Sequence, residues 1–192
     1  MLFPVQLLDE WRSPEAALAT GGDPHAPPLS APFRAALACT GSLTRHLERT
    51  LGWPVGVRLE YQELRPAWDS RLDCWDGHQA LPPGDQDVLV REAWLEVDGR
   101  DRVLAHSEMM LEGLSAAKRQ AIEAGQVPLG ALFLEWDGGV TRQQLELSRC
   151  RNPALAARLG RPADHPFWCR RSLFHSGGRL RARILELFLE PF

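Results

Sequence analysis

The chain has no basic excess: its 192 residues carry a formal net charge of -3, and no run of basic residues goes beyond a pair or triplet. The electrostatic footprint of a nucleic-acid binder is therefore missing. There is no CxxC pair. Cys39, Cys74, Cys150 and Cys169 are scattered, which fits reduced thiols and neither a disulfide framework nor a zinc site. No apolar run is long enough to span a bilayer. The opening MLFPVQLLDEW reaches Asp9 and Glu10 before a signal-peptide core could form, so a cytosolic protein is expected. A glycine-rich phosphate loop and a GxSxG elbow are also absent, which argues against nucleotide binding and serine hydrolysis.

What is present is enough apolar material for a core. At 44% hydrophobic, the chain can close one globular domain over residues 1–192 without staples. Residues 1–32 form an N-terminal segment ending in the Gly/Pro-rich loop GGDPHAPPLSAP. Phe33 to Leu51 has a helical pattern; within it GSLTRHLERTLG reads as a helix capped by Ser42 and ended by Gly52. Val55 to Gln62 alternates as a strand with one wet face. Trp68 to Asp87 reads as a polar loop. Val88–Val97 and Val103–Leu111 flank Asp98-Gly99, a hairpin dipeptide. Glu112 to Gly125 is read as helix, while PLGALFLEW (128–136) fits a short helix or a strand equally. Thr141 to Ser148 is a strand, and Asn152 caps a short helix with Pro153 at its first position. Phe167–His175 and Leu180–Leu189 pair around Ser176-Gly177-Gly178. Strands joined mainly by hairpins, with helices between them, indicate an α+β fold with an antiparallel sheet.

Two charges break this pattern. In LVREAWLEV, Arg91 shares a strand face with Leu89, Ala93, Leu95 and Val97. In RILELFLEPF, Glu186 lies with Ala182, Ile184 and Phe188. An ion withdrawn from water without a partner costs several kcal/mol or more. Each therefore needs a counter-charge, a water network or a ligand, and the two residues can be read equally as a structural ion pair or as a binding site.

Other candidates have plainer readings. Cys74, Asp76 and His78 match no strong metal pattern. Trp53, Trp68 and Trp75 lie at turns, where indoles close over a core edge. His106 alternates with Leu104, Glu108 and Met110 and reads as a packed histidine. Arg170 and Arg171 are adjacent on a strand, so at most one is expected in the interior.

Taken together, the blocks GSLTRHLE, VREAWLEVDG, VPLGALF, FWCRRSLF and GGRLRARILELFLEP, in that order between Ser42 and Pro191, resemble the chorismate lyases of ubiquinone biosynthesis. The resemblance implies a single antiparallel sheet whose helices and lid-like loops enclose a small aromatic acid. It also implies conversion of chorismate to 4-hydroxybenzoate and pyruvate by a monomer, with no metal or cofactor. The carboxylate-binding arginine of the family falls on Arg91 and its active-site glutamate on Glu186. Its apolar ring contacts fall on Leu43 and Leu129. Where the family has an arginine and then a proline in a block like ARSVIP, this chain has AHSEMML, so His106 and Glu108 lie there and Leu111 takes the proline position. The loop 68–84 is longer than in familiar members. An enclosed site of this kind would release product slowly.

Two other classes share this architecture: a small aromatic-acid binding module related to the sensing domains of winged-helix regulators, and a chorismate enzyme of another aromatic pathway. The residues before Pro32 are too few and too rich in Gly and Pro for a helix-turn-helix.

Overall fold

In a computed structural model of the chain, residues 5–20, 28–66, 87–111, 114–125, 140–189 and 192 are described. Twelve elements follow in order: β1 (Gln6–Leu7), α1 (Pro14–Thr20), α2 (Ala31–Leu37), α3 (Leu43–Leu51), β2 (Val55–Pro66), β3 (Asp87–Val97), β4 (Arg100–Met110), α4 (Ala116–Glu123), β5 (Val140–Arg151), α5 (Pro153–Arg158), β6 (Pro166–Ser176) and β7 (Arg179–Phe188). The strands form one seven-stranded sheet in the order β1-β5-β6-β7-β4-β3-β2. Every pairing in it is antiparallel. The expected α+β class with a single antiparallel sheet is what the chain adopts.

The hairpins close where glycine and aspartate permit it. Asp98 (φ 52) and Gly99 (φ 67) both take positive φ between β3 and β4, as do Gly177 (φ 58) and Gly178 (φ 72) between β6 and β7. That is the geometry of a two-residue turn matching the twist of the flanking strands.

Both faces of the sheet centre are covered, so β3 and β7 are buried along nearly their whole length. On one face α1, α2 and α3 place Ala17, Phe33, Leu37, Leu43 and Leu47 against Leu95, Val103, Leu147 and Phe188. Full burial of a side chain such as Leu47 is worth about 1.5–3 kcal/mol. On the other face Leu155 and Ala156 of α5, with Trp11 alongside, pack on Trp94, Leu104, Cys169 and Leu187.

The helical stretch expected from Phe33 to Leu51 is divided in two. Ser30 caps α2, accepting from Phe33 N, and Ser42 caps α3, accepting from Arg45 N. The carbonyls of Ala36, Leu37 and Cys39 at the break accept hydrogen bonds from Nη1 of Arg170. A buried cation thus supplies a donor to the carbonyls at the end of α2, where the helix leaves acceptors without a full set of partners. The helix expected over 112–125 is shorter, running Ala116–Glu123. The 68–86 part of the expected polar loop, the segment 128–136, and the candidates Cys74, Asp76, His78, Trp68, Trp75 and Leu129 lie outside the described residues.

Candidate active site

The register of the sheet gathers one set of charges on the face covered by α2 and α3. Glu186 on β7 stands opposite Arg170 on β6 and Ala105 on β4. Nε of Arg170 donates to Oε2 of Glu186 at 2.5 Å, and Nη1 of Arg142 on β5 donates to the same oxygen at 3.2 Å. Arg142 also donates to Ser172 Oγ at 2.6 Å, and its guanidinium lies 4.4 Å from the Phe174 ring centroid. All three charged side chains are almost fully withdrawn from water.

Burial by itself would raise the pKa of Glu186, but the charges and hydrogen bonds of Arg170 and Arg142 outweigh it and hold the group below its ordinary value. Glu186 is therefore a carboxylate at neutral pH. Arg142 shifts the other way, pushed down to about 10, first by burial and then by the neighbouring Arg170. It stays a cation at neutral pH.

Arg91 is on the same face, two strands away. It pairs with Ser107 on β4, which in turn pairs with Ile184 on β7. Two strand spacings put it about 10 Å across the sheet from the Glu186 position. The guanidinium is buried, its Nη2 donates to the carbonyl of Gly125 at 2.7 Å, and burial lowers it to about 10. Arg91 and Glu186 are thus not an ion pair: the partners of Glu186 are Arg170 and Arg142. Leu43, the first residue of α3, is buried in the apolar cluster that includes Phe188.

The neighbouring residues correct two expectations. Arg170 and Arg171 are both buried, although they leave opposite faces of β6. The interior has two sides here, since Arg171 stacks on Trp11 at 4.7 Å and donates to Glu146 at 2.8 Å. His106 follows Ala105, which faces Glu186, so its imidazole points to the opposite face. There it lies between Glu92 and Glu108, 3.5 Å from each, while Arg183 approaches Glu108 at 2.5 Å. A histidine on that side cannot replace a cation facing Arg91 and Glu186.

Arg142 is the residue that reading the sequence missed. Simple alternation counted from buried Leu147 sends Arg142 to the wrong face. A bulge between Gln143 and Glu146, with Gln144 at φ 48, shifts the parity of β5. A bulge adds one residue to one strand and re-aims what precedes it. Arg170 was legible as a candidate for the interior, but its partner was not.

The sequence model of one family, described as Chorismate pyruvate-lyase Rv2949c-like, matches residues 37–191. A curated relative named "Probable chorismate pyruvate-lyase" from Methylococcus capsulatus (strain Bath) is 31% identical over 153 residues, covering 78% of this chain and 89% of the relative. A protein of the same name from Pseudomonas putida is 31% identical over 116 residues, 56% of this chain and 61% of that protein. Among solved structures, the effector domain of PhnF from Mycobacterium smegmatis has a similar fold, with a TM-score of 0.54 at 17% identity, covering 78% of this chain and 89% of that domain.

Proposed function

Because the chain belongs to the Rv2949c-like family of chorismate pyruvate-lyases, we propose that it cleaves chorismate to 4-hydroxybenzoate and pyruvate, with Arg91 holding the ring carboxylate and Glu186 facing the ring hydroxyl. One observation carries this reading: Arg91 and the Glu186 cluster are separate buried charges on one sheet face, rather than a self-neutralising pair. A small acid with a carboxylate at one end and a hydroxyl at the other suits that spacing.

Arginine offers a planar fork to a carboxylate, and the resulting bidentate, charge-assisted contact fixes orientation as well as position. The Gly125 carbonyl steadies the guanidinium from behind by its bond to Nη2. Leu43 and Leu129 would close on the ring by shape.

In the reaction the ether bond between the ring and the enolpyruvyl oxygen breaks, and the electron pair leaves with that oxygen. The neighbouring hydroxyl-bearing carbon loses its proton and the ring becomes aromatic. The released enolate gains one proton on carbon and becomes pyruvate, so the proton lost from the ring carbon and the proton gained balance. Aromatisation supplies the driving force, and in this reading the chain works without metal or cofactor by orienting the substrate and excluding water. A carboxylate whose pKa is held low is a weak base. The contribution proposed for Glu186 is therefore chiefly a hydrogen bond accepted from the ring hydroxyl, which orders the ring and strengthens as phenol character develops. The same reading makes the protein a cytosolic monomer whose 4-hydroxybenzoate enters ubiquinone synthesis.

The test is to incubate purified protein with chorismate and follow 4-hydroxybenzoate and pyruvate by chromatography, with Arg91→Ala and Glu186→Ala as controls. Equal amounts of both products, lost in the variants, are expected. Tight binding of 4-hydroxybenzoate without turnover would replace the lyase reading with a binding module; products other than these would point to another chorismate-processing reaction.

A further inference from the structure

The cluster around Glu186 is out of charge balance. Two guanidinium groups, Arg170 and Arg142, converge on one carboxylate. Arg170 alone would neutralise it: its Nε lies 2.5 Å from the carboxylate and its Nη1 donates to three backbone carbonyls, with only Nη2 making no hydrogen bond to the described residues. Arg142 is the surplus. Leaving a charge buried without compensation is strongly destabilising, by several kcal/mol, so a second arginine on one carboxylate needs an anion from elsewhere.

The way Arg142 is held indicates where that anion sits. Both of its side-chain hydrogen bonds, to Ser172 Oγ and Glu186 Oε2, leave from Nη1. Its plane lies against Phe174. Nε is buried and has no hydrogen-bond partner among the described residues. Nη2 makes no hydrogen bond to them either. Nε–H and Nη2–H form one edge of the guanidinium and point the same way, which is the edge a carboxylate engages with two parallel hydrogen bonds. The occupied corner fixes the group, and the free edge is presented from a site beside Glu186.

We propose that this free edge of Arg142 binds a second carboxylate of the substrate, and that the site selects dicarboxylic ring ethers over monocarboxylic acids. The inference rests on the lyase reading for its substrate: there the second carboxylate belongs to the enolpyruvyl group, whose ether oxygen is attached next to the hydroxyl-bearing carbon facing Glu186. Arg91 then anchors the end that remains in the product, and Arg142 the end that leaves. Cleavage removes the Arg142 contact from the aromatic product, so the affinity of the site for that product falls at the step that forms it.

The experiment uses two unreactive probes of similar shape, 3-(carboxymethoxy)-4-hydroxybenzoate and 4-hydroxy-3-methoxybenzoate, titrated by calorimetry or as inhibitors against the wild-type chain, Arg142→Gln and Arg142→Lys. One charge-assisted bidentate contact is worth roughly 10–100-fold in affinity. The wild-type chain is expected to prefer the dicarboxylate by at least about tenfold, Arg142→Gln to lose that preference while keeping its affinity for the monocarboxylate, and Arg142→Lys to retain part of it. Equal binding of the two probes by the wild-type chain would overturn the proposal, and this arm needs no variant to fold. So would a preference that persists in Arg142→Gln, or an equal weakening of both probes, which would mean that Arg142 only props Glu186. Failure of the lyase reading is separate, since it appears as absence of products from chorismate while the ratio between the probes is still measurable.

Discussion

Arg170 and Glu186 stand directly opposite each other on neighbouring strands, with Nε of the guanidinium 2.5 Å from Oε2 of the carboxylate. The same guanidinium reaches back to the carbonyls of Ala36 and Cys39, at 2.9 and 3.1 Å. One side chain therefore ties the carboxylate of the candidate site to the turn from which α3, and Leu43 with it, departs. Arg170→Met is expected to lower unfolding stability by about 1.5–3 kcal/mol, because Glu186 loses its 2.5 Å partner and keeps only Arg142 at 3.2 Å, while the carbonyls of Leu37 and Cys39 lose a charged donor. Urea denaturation followed by circular dichroism checks this. A loss below about 1 kcal/mol, the size of an exposed pair, would contradict the dual role.

Glu186→Gln keeps the shape and removes the charge. Turnover of chorismate is expected to fall by roughly 10–100-fold, the size of one hydrogen bond to a charged group that strengthens in the transition state. The dissociation constant for 4-hydroxybenzoate should move much less, because Arg91 still holds the ring carboxylate. Steady-state kinetics and calorimetry on the same preparation separate the two effects. Equal turnover by the variant would remove Glu186 from the reaction.

Arg91 and Glu186 could be found in the sequence because each interrupts a period-two apolar strand, and burying an ion has a recognisable cost. The two hairpins were equally visible through Asp98-Gly99 and Gly177-Gly178. What the pattern could not convey was partnership. Cross-strand neighbours depend on register, so Arg170 facing Glu186 follows only once β6 and β7 are paired. Arg142 was hidden by a backbone event, the β5 bulge, which breaks the alternation that face assignment relies on. The division of the 33–51 helix was hidden for a related reason, since the cation that donates to the carbonyls at the break comes from a strand more than a hundred residues away.

His106 predicts a pH dependence of stability. Burial opposes its positive form, but hydrogen bonds and charge from Glu108 and Glu92 prevail and raise its pKa above the ordinary value. A raised folded-state value means that protonation favours folding. The contribution is complete below the unfolded value of 6.5 and is lost as pH rises through the raised one. Urea midpoints of the wild-type chain and His106→Gln, measured from about pH 6 to about pH 9, should therefore converge as pH increases. A gap that stays constant would show that the imidazole does not change charge over this range.

The last prediction concerns what holds Arg91. Gly125 follows α4 with φ 69, its N–H bonded to Ile122 O and its carbonyl accepting from Arg91 Nη2 at 2.7 Å. An added Cβ would strain that left-handed backbone, a cost of about 1–2 kcal/mol, and would meet Leu59 Cδ2 at 3.1 Å. The leucine methyl can give way, but the backbone cannot relax without turning the carbonyl that steadies the guanidinium. Gly125→Ala is therefore expected to weaken 4-hydroxybenzoate binding by several-fold, as well as lowering stability by about 1–2 kcal/mol. A variant whose only defect is in backbone conformation would lose stability with its affinity intact. Binding by calorimetry alongside urea denaturation distinguishes the two outcomes, and intact affinity would show that Arg91 is positioned without the Gly125 carbonyl.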